Sequence, residues 1–193
     1  MRESLFSLTP FPNFHSPDIS ITGNISIQSN ILAGHYSLTG KIEQIFLPAR
    51  STNPGRKDEL WKTTCFEFFL AMKGQSQYWE FNMSPSGDWN VYHMDAYRRV
   101  GFREETSIQQ LPVEVRHGAG VFHLNVVLDL NPILDRGRNL EFGVAAIIQT
   151  TEGSETYWAL THPASIADFH LREGFILELA GQTHLPQQPV PGG

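Results

Sequence analysis

The chain has almost no cysteine, no long apolar run and little helical periodicity, and each lack removes a class of protein. Cys65 is the single cysteine among 193 residues, so no disulfide can form within one chain and a disulfide-stapled scaffold is excluded. No stretch nears the roughly 18 apolar residues of a membrane-spanning helix. The N-terminal segment meets Pro10, Pro12 and Pro17 and lacks the apolar run of roughly 7–15 residues that a secretory leader carries. The expectation is therefore a soluble, cytoplasmic protein with no membrane partner. There is no basic surplus either. The net charge is −6, which argues against a phosphate-binding surface and so against nucleic acid as a partner. Gly-x-Ser-x-Gly, phosphate-binding and dinucleotide motifs are missing too, which favours binding over catalysis. No feature singles out a protein partner.

What is there is strand signal. Ile19-Ser20-Ile21-Thr22-Gly23-Asn24-Ile25-Ser26-Ile27 alternates apolar and polar, with a turn expected at Gly23-Asn24. Further runs lie at 35–38, 42–47, 65–72, 78–83, 89–94, 113–116, 121–128, 140–149, 157–160 and 175–179. Ten or so short strands without helices between them predict an all-β, antiparallel β-sandwich of jelly-roll or immunoglobulin-like type, with at most short helical turns. A parallel α/β sheet would need long crossover helices. The expected organisation is an extended N-terminal arm (1–17), one sandwich domain (18–180) and a disordered Pro/Gly-containing tail (181–193).

A hairpin turning on Lys73-Gly74 would set positions summing to about 147 opposite each other. Phe66, Phe68, Leu70, Trp79, Phe81 and Met83 would then face the core. Cys65, Glu67, Phe69, Tyr78, Glu80 and Asn82 would face outward, with Glu67 directly across from Glu80. Two carboxylates in register repel unless an arginine such as Arg98, a cation, a shared proton or a ligand compensates. A second turn on Pro85-Ser86 would bring Trp89 opposite Asn82, and a bulge at Gly87 would reverse that. Phe122, Leu124, Val126 and Leu128 read as core, leaving His123 and Asn125 outside. Carboxylates and amides beside aromatic rings are the chemistry of a sugar site, although the exposed face of any antiparallel sheet is polar.

The segments Leu60-Trp61-Lys62-Thr63-Thr64-Cys65-Phe66-Glu67-Phe68-Phe69 and Tyr78-Trp79-Glu80-Phe81-Asn82-Met83-Ser84-Pro85-Ser86-Gly87-Asp88-Trp89 resemble the DOMON-like family related to family 9 carbohydrate-binding modules. Asp95-Ala96-Tyr97-Arg98, residues Thr156–Pro163 and Ala167-Asp168-Phe169-His170 continue the resemblance, which spans roughly 58–179. It implies a sandwich of about ten strands and ligand binding, of sugars in one branch and haem in another. Secreted members follow a signal peptide beside a hydrolase, and this chain shows neither. The expected ligand is therefore a small, soluble sugar-like molecule, bound by Glu67, Glu80, Asn82, Trp89, Tyr97, Arg98 and Trp158 without catalysis.

Other readings of the same residues remain. His93, Met94, Met83, His162 and His170 could supply axial ligands to haem; without Cys-x-x-Cys-His it would be non-covalent. His162, Asp168 and His170 could ligate a metal and support a metal-dependent enzyme, but they lack the spacing of a helical zinc motif, and Asp168 could equally order its own loop. No cofactor is called for by the pattern, though the oxygen-rich loops 84–88 and 152–155 could hold calcium.

Overall fold

Among the described residues twelve strands, all paired antiparallel, form two facing sheets that one strand joins. The computed structural model describes residues 1–12, 16–98 and 101–181. In the first sheet the order is β1 (Arg2–Pro10), β2 (Ile19–Gln28), β3 (Ile31–Gly40), β9 (Val121–Asp129) and β8 (Val113–Gly118). In the second it is β7 (Arg103–Glu104), β6 (Trp89–Met94), β5 (Tyr78–Met83), β4 (Cys65–Met72) and β10 (Leu140–Gln149). The far side of β10 is shared: β11 (Glu155–Ala159) pairs its C-terminal half and β12 (Leu177–Leu179) its start. The sandwich expected from the strand count is the observed architecture. Among the described residues regular helix is confined to three short 3-10 turns, and none of them is long and apolar enough to cross a membrane.

β1 is the hinge between layers. Arg2–Leu8 pair with β2, and then Thr9 and Pro10 pair with Ala159 and Trp158 of β11. Residues 2–10 are thus built into the sheets and are not an arm laid over them. The alternation that would have announced this strand is blurred because Leu5 is 79% exposed while Phe6 and Leu8 are buried. The tail expected at 181–193 lies outside the described residues beyond Gly181.

The core between the sheets holds the predicted faces: Phe66, Phe68, Leu70, Trp79, Phe81 and Met83 meet Phe122, Leu124, Val126 and Leu128. Phe68 and Phe81 stack at 4.2 Å between centroids. The β2–β3 turn is not at Gly23-Asn24. It is at Ser29-Asn30, both left-handed (φ 52° and 67°), the conformation that two-residue hairpin turns require.

The β4–β5 register differs from expectation by two residues. Glu67 opposes Asn82, and Glu80 opposes Phe69, because the connection is longer than a tight turn on Lys73-Gly74. A shift of two leaves every side chain on its predicted face. The β5–β6 register differs by one: Met83 opposes Trp89, and Asn82 opposes Asn90. That shift turns Trp89 inward and brings Asn90 and Tyr92 to the outer face.

Candidate functional site

The outer face of the second sheet is a second buried layer, not a solvated surface. Cys65, Glu67, Phe69, Ala71, Tyr78, Glu80, Asn82, Asn90, Tyr92 and Met94 are all buried there. Trp61 and Phe169 pack on this layer, and Phe175 is part of it. Two ion pairs hold the covering segment, residues 161–176: Arg172 pairs with Glu141 of β10, and Asp168 pairs with Arg98. A polar face becomes this deep because β5 and β6 are long enough to carry three outward residues each, while the chain after β11 has no strand of its own until β12.

Glu80 is the centre of the face. Its cross-strand neighbours are Phe69 and Tyr92, with Tyr78 and Asn82 two residues away on its own strand. Asn82 Nδ2 donates to Glu80 Oε1 at 2.8 Å. The other oxygen, Oε2, stands 4.0 Å from His170 Nε2, too far for a hydrogen bond. The other ring nitrogen of His170 meets Tyr78. Tyr78 Oη accepts the Arg98 backbone N–H at 3.3 Å and lies 2.9 Å from His170 Nδ1. The phenol can donate to Nδ1, and in that tautomer the ring proton is on Nε2, facing Glu80.

Burial sets the protonation of this group. Desolvation pushes the Glu80 carboxyl up to about 7, against the opposing hydrogen bond from Asn82. Glu67 is raised well above the usual carboxylate range, by burial first and then by the charge of Glu80. Burial drives His170 down to about 4, so its imidazole is neutral near pH 7. The thiol of Cys65, fully buried beside Asn82, is also pushed up by burial and is not a nucleophile.

Arg98, one of the alternatives for compensating the two glutamates, pairs elsewhere. Its Nη2 pairs with Asp168 Oδ2 at 3.0 Å, and its Nε reaches Oδ1 at 3.3 Å. The same carboxylate accepts from Tyr97 Oη at 2.5 Å and from the His170 backbone N–H at 3.0 Å. Burial would raise the Asp168 pKa, but these donors outweigh it and hold the group below its ordinary range. Asp168 is thus a clasp that sets His170 against Tyr78. Asp168→Asn should leave the sandwich folded but speed hydrogen exchange of the His170 amide by about 10-fold or more, the loss of charge-assisted bonds. Unchanged exchange would show that the clasp carries no load.

Of the residues predicted for a site, Glu67, Glu80 and Asn82 share this face, and Tyr97 and Arg98 join it through Asp168. Trp89 and Trp158 lie instead in the core between the sheets. His123 and Asn125 belong to the other sheet, where Asn125 Oδ1 meets His35 Nδ1 at 2.8 Å. Sequence reasoning passed over Phe102, Tyr92 and Asn90. Tyr97 and Phe102 are each 47% exposed, Phe102 stacks on Tyr92 at 4.8 Å, and Trp61 meets Tyr92 edge-on at 6.0 Å. An aromatic rim therefore adjoins the Glu80–His170 floor. The only advance signal was the one-residue alternative at Gly87, which reverses β6.

The metal and haem candidates are not gathered. His162 Nε2 bonds Thr9 O at the β1–β11 junction, whereas His170 packs on Phe69. His93 faces inward against Trp79 while Met94 faces outward, so neighbouring ligands point to opposite sides and do not fit a haem. Among the described residues no group of three or more His, Cys, Asp or Glu side chains could hold a metal ion. In the 84–88 loop proposed for calcium, Lys57 Nζ occupies Asp88 at 2.7 Å, with Ser86 Oγ also at 2.7 Å.

No family model matches the chain, and no curated protein matches it significantly. Solved structures do share its fold. A candidate carbohydrate-binding protein from Bacteroides uniformis superposes with a TM-score of 0.68 at 15% identity, over 92% of this chain and 85% of that one. A family 9 carbohydrate-binding module from Caldicellulosiruptor kristjanssonii, in complex with cellotriose, gives 0.52 at 11% identity, over 98% of this chain and 88% of that one. At these identities the likeness is one of fold.

Proposed function

We propose that the outer face of the second sheet binds a small, sugar-like molecule and does no chemistry on it. The observation that carries this reading is the unbonded pair at its floor. Glu80 Oε2 and His170 Nε2 stand 4.0 Å apart, and with the His170 proton on Nε2 they are an acceptor and a donor with no direct bond between them. A hydroxyl oxygen between them would accept from Nε2–H and donate to Oε2. Vicinal polar groups of that kind, under aromatic edges from Trp61, Tyr97 and Phe102, are what a carbohydrate presents and requires. The likeness of fold to proteins described as carbohydrate-binding supports the same ligand class.

The non-catalytic half rests on carboxyl placement. Glycoside hydrolysis needs two carboxyl groups flanking the bond, one as acid and one as base or nucleophile. Here Glu67 is only 3% exposed and lies beside Asn82, while Asp58 accepts from Tyr92 Oη and Asn90 Nδ2 and Glu104 accepts from Asn90 Nδ2. Asp168 is consumed by its four donors.

The test is a titration of the whole protein with mono-, di- and amino sugars, followed by thermal shift and by amide chemical shifts. A saturable response is expected for one sugar class. Glu80→Gln exchanges the acceptor Oε2 for an amide and should weaken that binding at least about 10-fold. A variant that binds as tightly as the parent would remove Glu80 from the site, and sugar turnover in the parent would sink the non-catalytic reading.

A further inference from the structure

The described residues hold a second concavity unrelated to Glu80. A cleft of about 440 Å³ opens between the 50–56 loop, the turn at 84–88 and the segment 109–114; its lining includes Arg50, Arg56, Trp89, Gln109, Gln110 and Glu114. Trp89 belongs to the inward side of the second sheet and Glu80 to the outward side, so ligands at the two places would not meet. We infer that this cleft is a ligand site for a small molecule carrying an oxyanion, a carboxylate or a phosphate or sulfate group.

Its charge is the argument. Among the described residues, neither Arg50 nor Arg56 has a carboxylate within 4.0 Å. Arg56 is bonded only to neutral acceptors: Asn90 Oδ1 at 2.6 Å, Ile108 O at 2.7 Å, Glu105 O at 3.0 Å and Val91 O at 3.4 Å. Its guanidinium lies 4.5 Å over the Trp89 ring. The group is thereby fixed in place with its charge uncancelled. Arg50 is freer. Nη1 donates to Val113 O at 3.0 Å, which leaves Nε and Nη2 as donors for a ligand.

Arg50 is also seated. Gly87 (φ +90°) has no side chain, and a Cβ there would come within 2.5 Å of Arg50 Nη1. The turn glycine thus makes the notch in which the guanidinium rests. In a protein of net charge −6, the fixed Arg56 charge and the Arg50 guanidinium form a local positive site, and the free Nε–Nη2 edge of Arg50 has the bidentate geometry that carboxylate and phosphate oxygens match. The volume is that of a small-molecule pocket, which runs from about 300 to 1,000 Å³. Glu114, exposed on the same lining, opposes an anion and sets a ceiling on its affinity.

The experiment is a nuclear magnetic resonance titration of the full chain at constant ionic strength, observing the Trp89 indole and the arginine Nε–H signals. The probes are inorganic phosphate, sulfate and glucuronate, with glucose as the neutral control. Saturable shifts at Trp89 and Arg50 are expected for at least one anion and not for glucose; the tighter of the phosphate and glucuronate arms assigns the headgroup. Arg50→Gln should weaken binding about 10-fold or more, and Glu114→Gln should tighten it about threefold by removing a nearby like charge. Absence of saturation with all three anions overturns the inference, as does equal affinity in Arg50→Gln. Where Arg50→Gln fails to fold, the surface variant Glu114→Gln decides, and unchanged affinity overturns the inference.

Discussion

Gly23→Ala is expected to destabilise the protein by about 3 kcal/mol, or roughly 6–12 °C in Tm for a domain of this size. A methyl group on Gly23 would stand 1.9 Å from His35 O and 2.5 Å from Phe6 Cζ. The first contact is with main chain in the adjacent strand, where Gly23 pairs with Tyr36; relief requires β2 and β3 to part and the ladder to open. The second pushes Phe6 off Tyr36, against which it packs at 5.3 Å. Neither neighbour is the loose end of a flexible chain. Thr22→Ala, on the exposed face of the same strand, should cost about 0.5 kcal/mol or less. Urea unfolding of both variants checks the pair, and a Gly23→Ala protein within about 2 °C of the parent would refute the close approach.

The same glycine shows how far the sequence could be read. Ile21, Ile25 and Gly23 all point into the core, and the ring of Phe6 lies where a Gly23 side chain would have stood. Gly-Asn is also a strong turn pair, and nothing local tells a turn from a position emptied for a neighbouring ring. The alternation was legible, and with it the core faces, because they survive any register shift of two. Trp89 was not legible, since one residue more in the 84–88 turn reverses its direction. Glu67, Glu80 and Asn82 were correctly placed together for the same reason that the core was. The role of Asp168 as a clasp, and the burial of the whole face, depend on Phe169 and Phe175 in a segment without periodicity, where a sequence carries no directional signal.

Glu80→Gln should gain stability relative to the parent as pH rises from about 4.5 to 7 and hold that gain above it. The carboxyl is pushed up to about 7 by burial, against about 4.3 in an unfolded chain. Between those values the native state holds a proton that the unfolded state has released. The stabilisation is whole below about pH 4 and is lost as pH rises to 7, at about 1.4 kcal/mol per unit. The amide of the variant is neutral throughout and loses nothing. The difference in unfolding free energy, variant minus parent, should therefore climb by on the order of 3 kcal/mol from about pH 4.5 to 7 and then level off. His170 works in the opposite sense. Burial lowers it to about 4, so the unfolded chain takes up its proton first and stability rises with pH up to about 6.5. In the parent the two nearly cancel between about pH 4.5 and 6.5; subtracting the curves isolates Glu80. Glu67 strengthens the trend, since the substitution removes one cause of its raised pKa. A flat difference curve would mean that Glu80 ionises as it does in water, and its carboxyl would have to be fully hydrated. The climbing curve, together with lost sugar binding in the same variant, would mean that the carboxylate costs stability at the pH where it accepts the ligand hydroxyl. A group with only a structural role would not separate those two quantities.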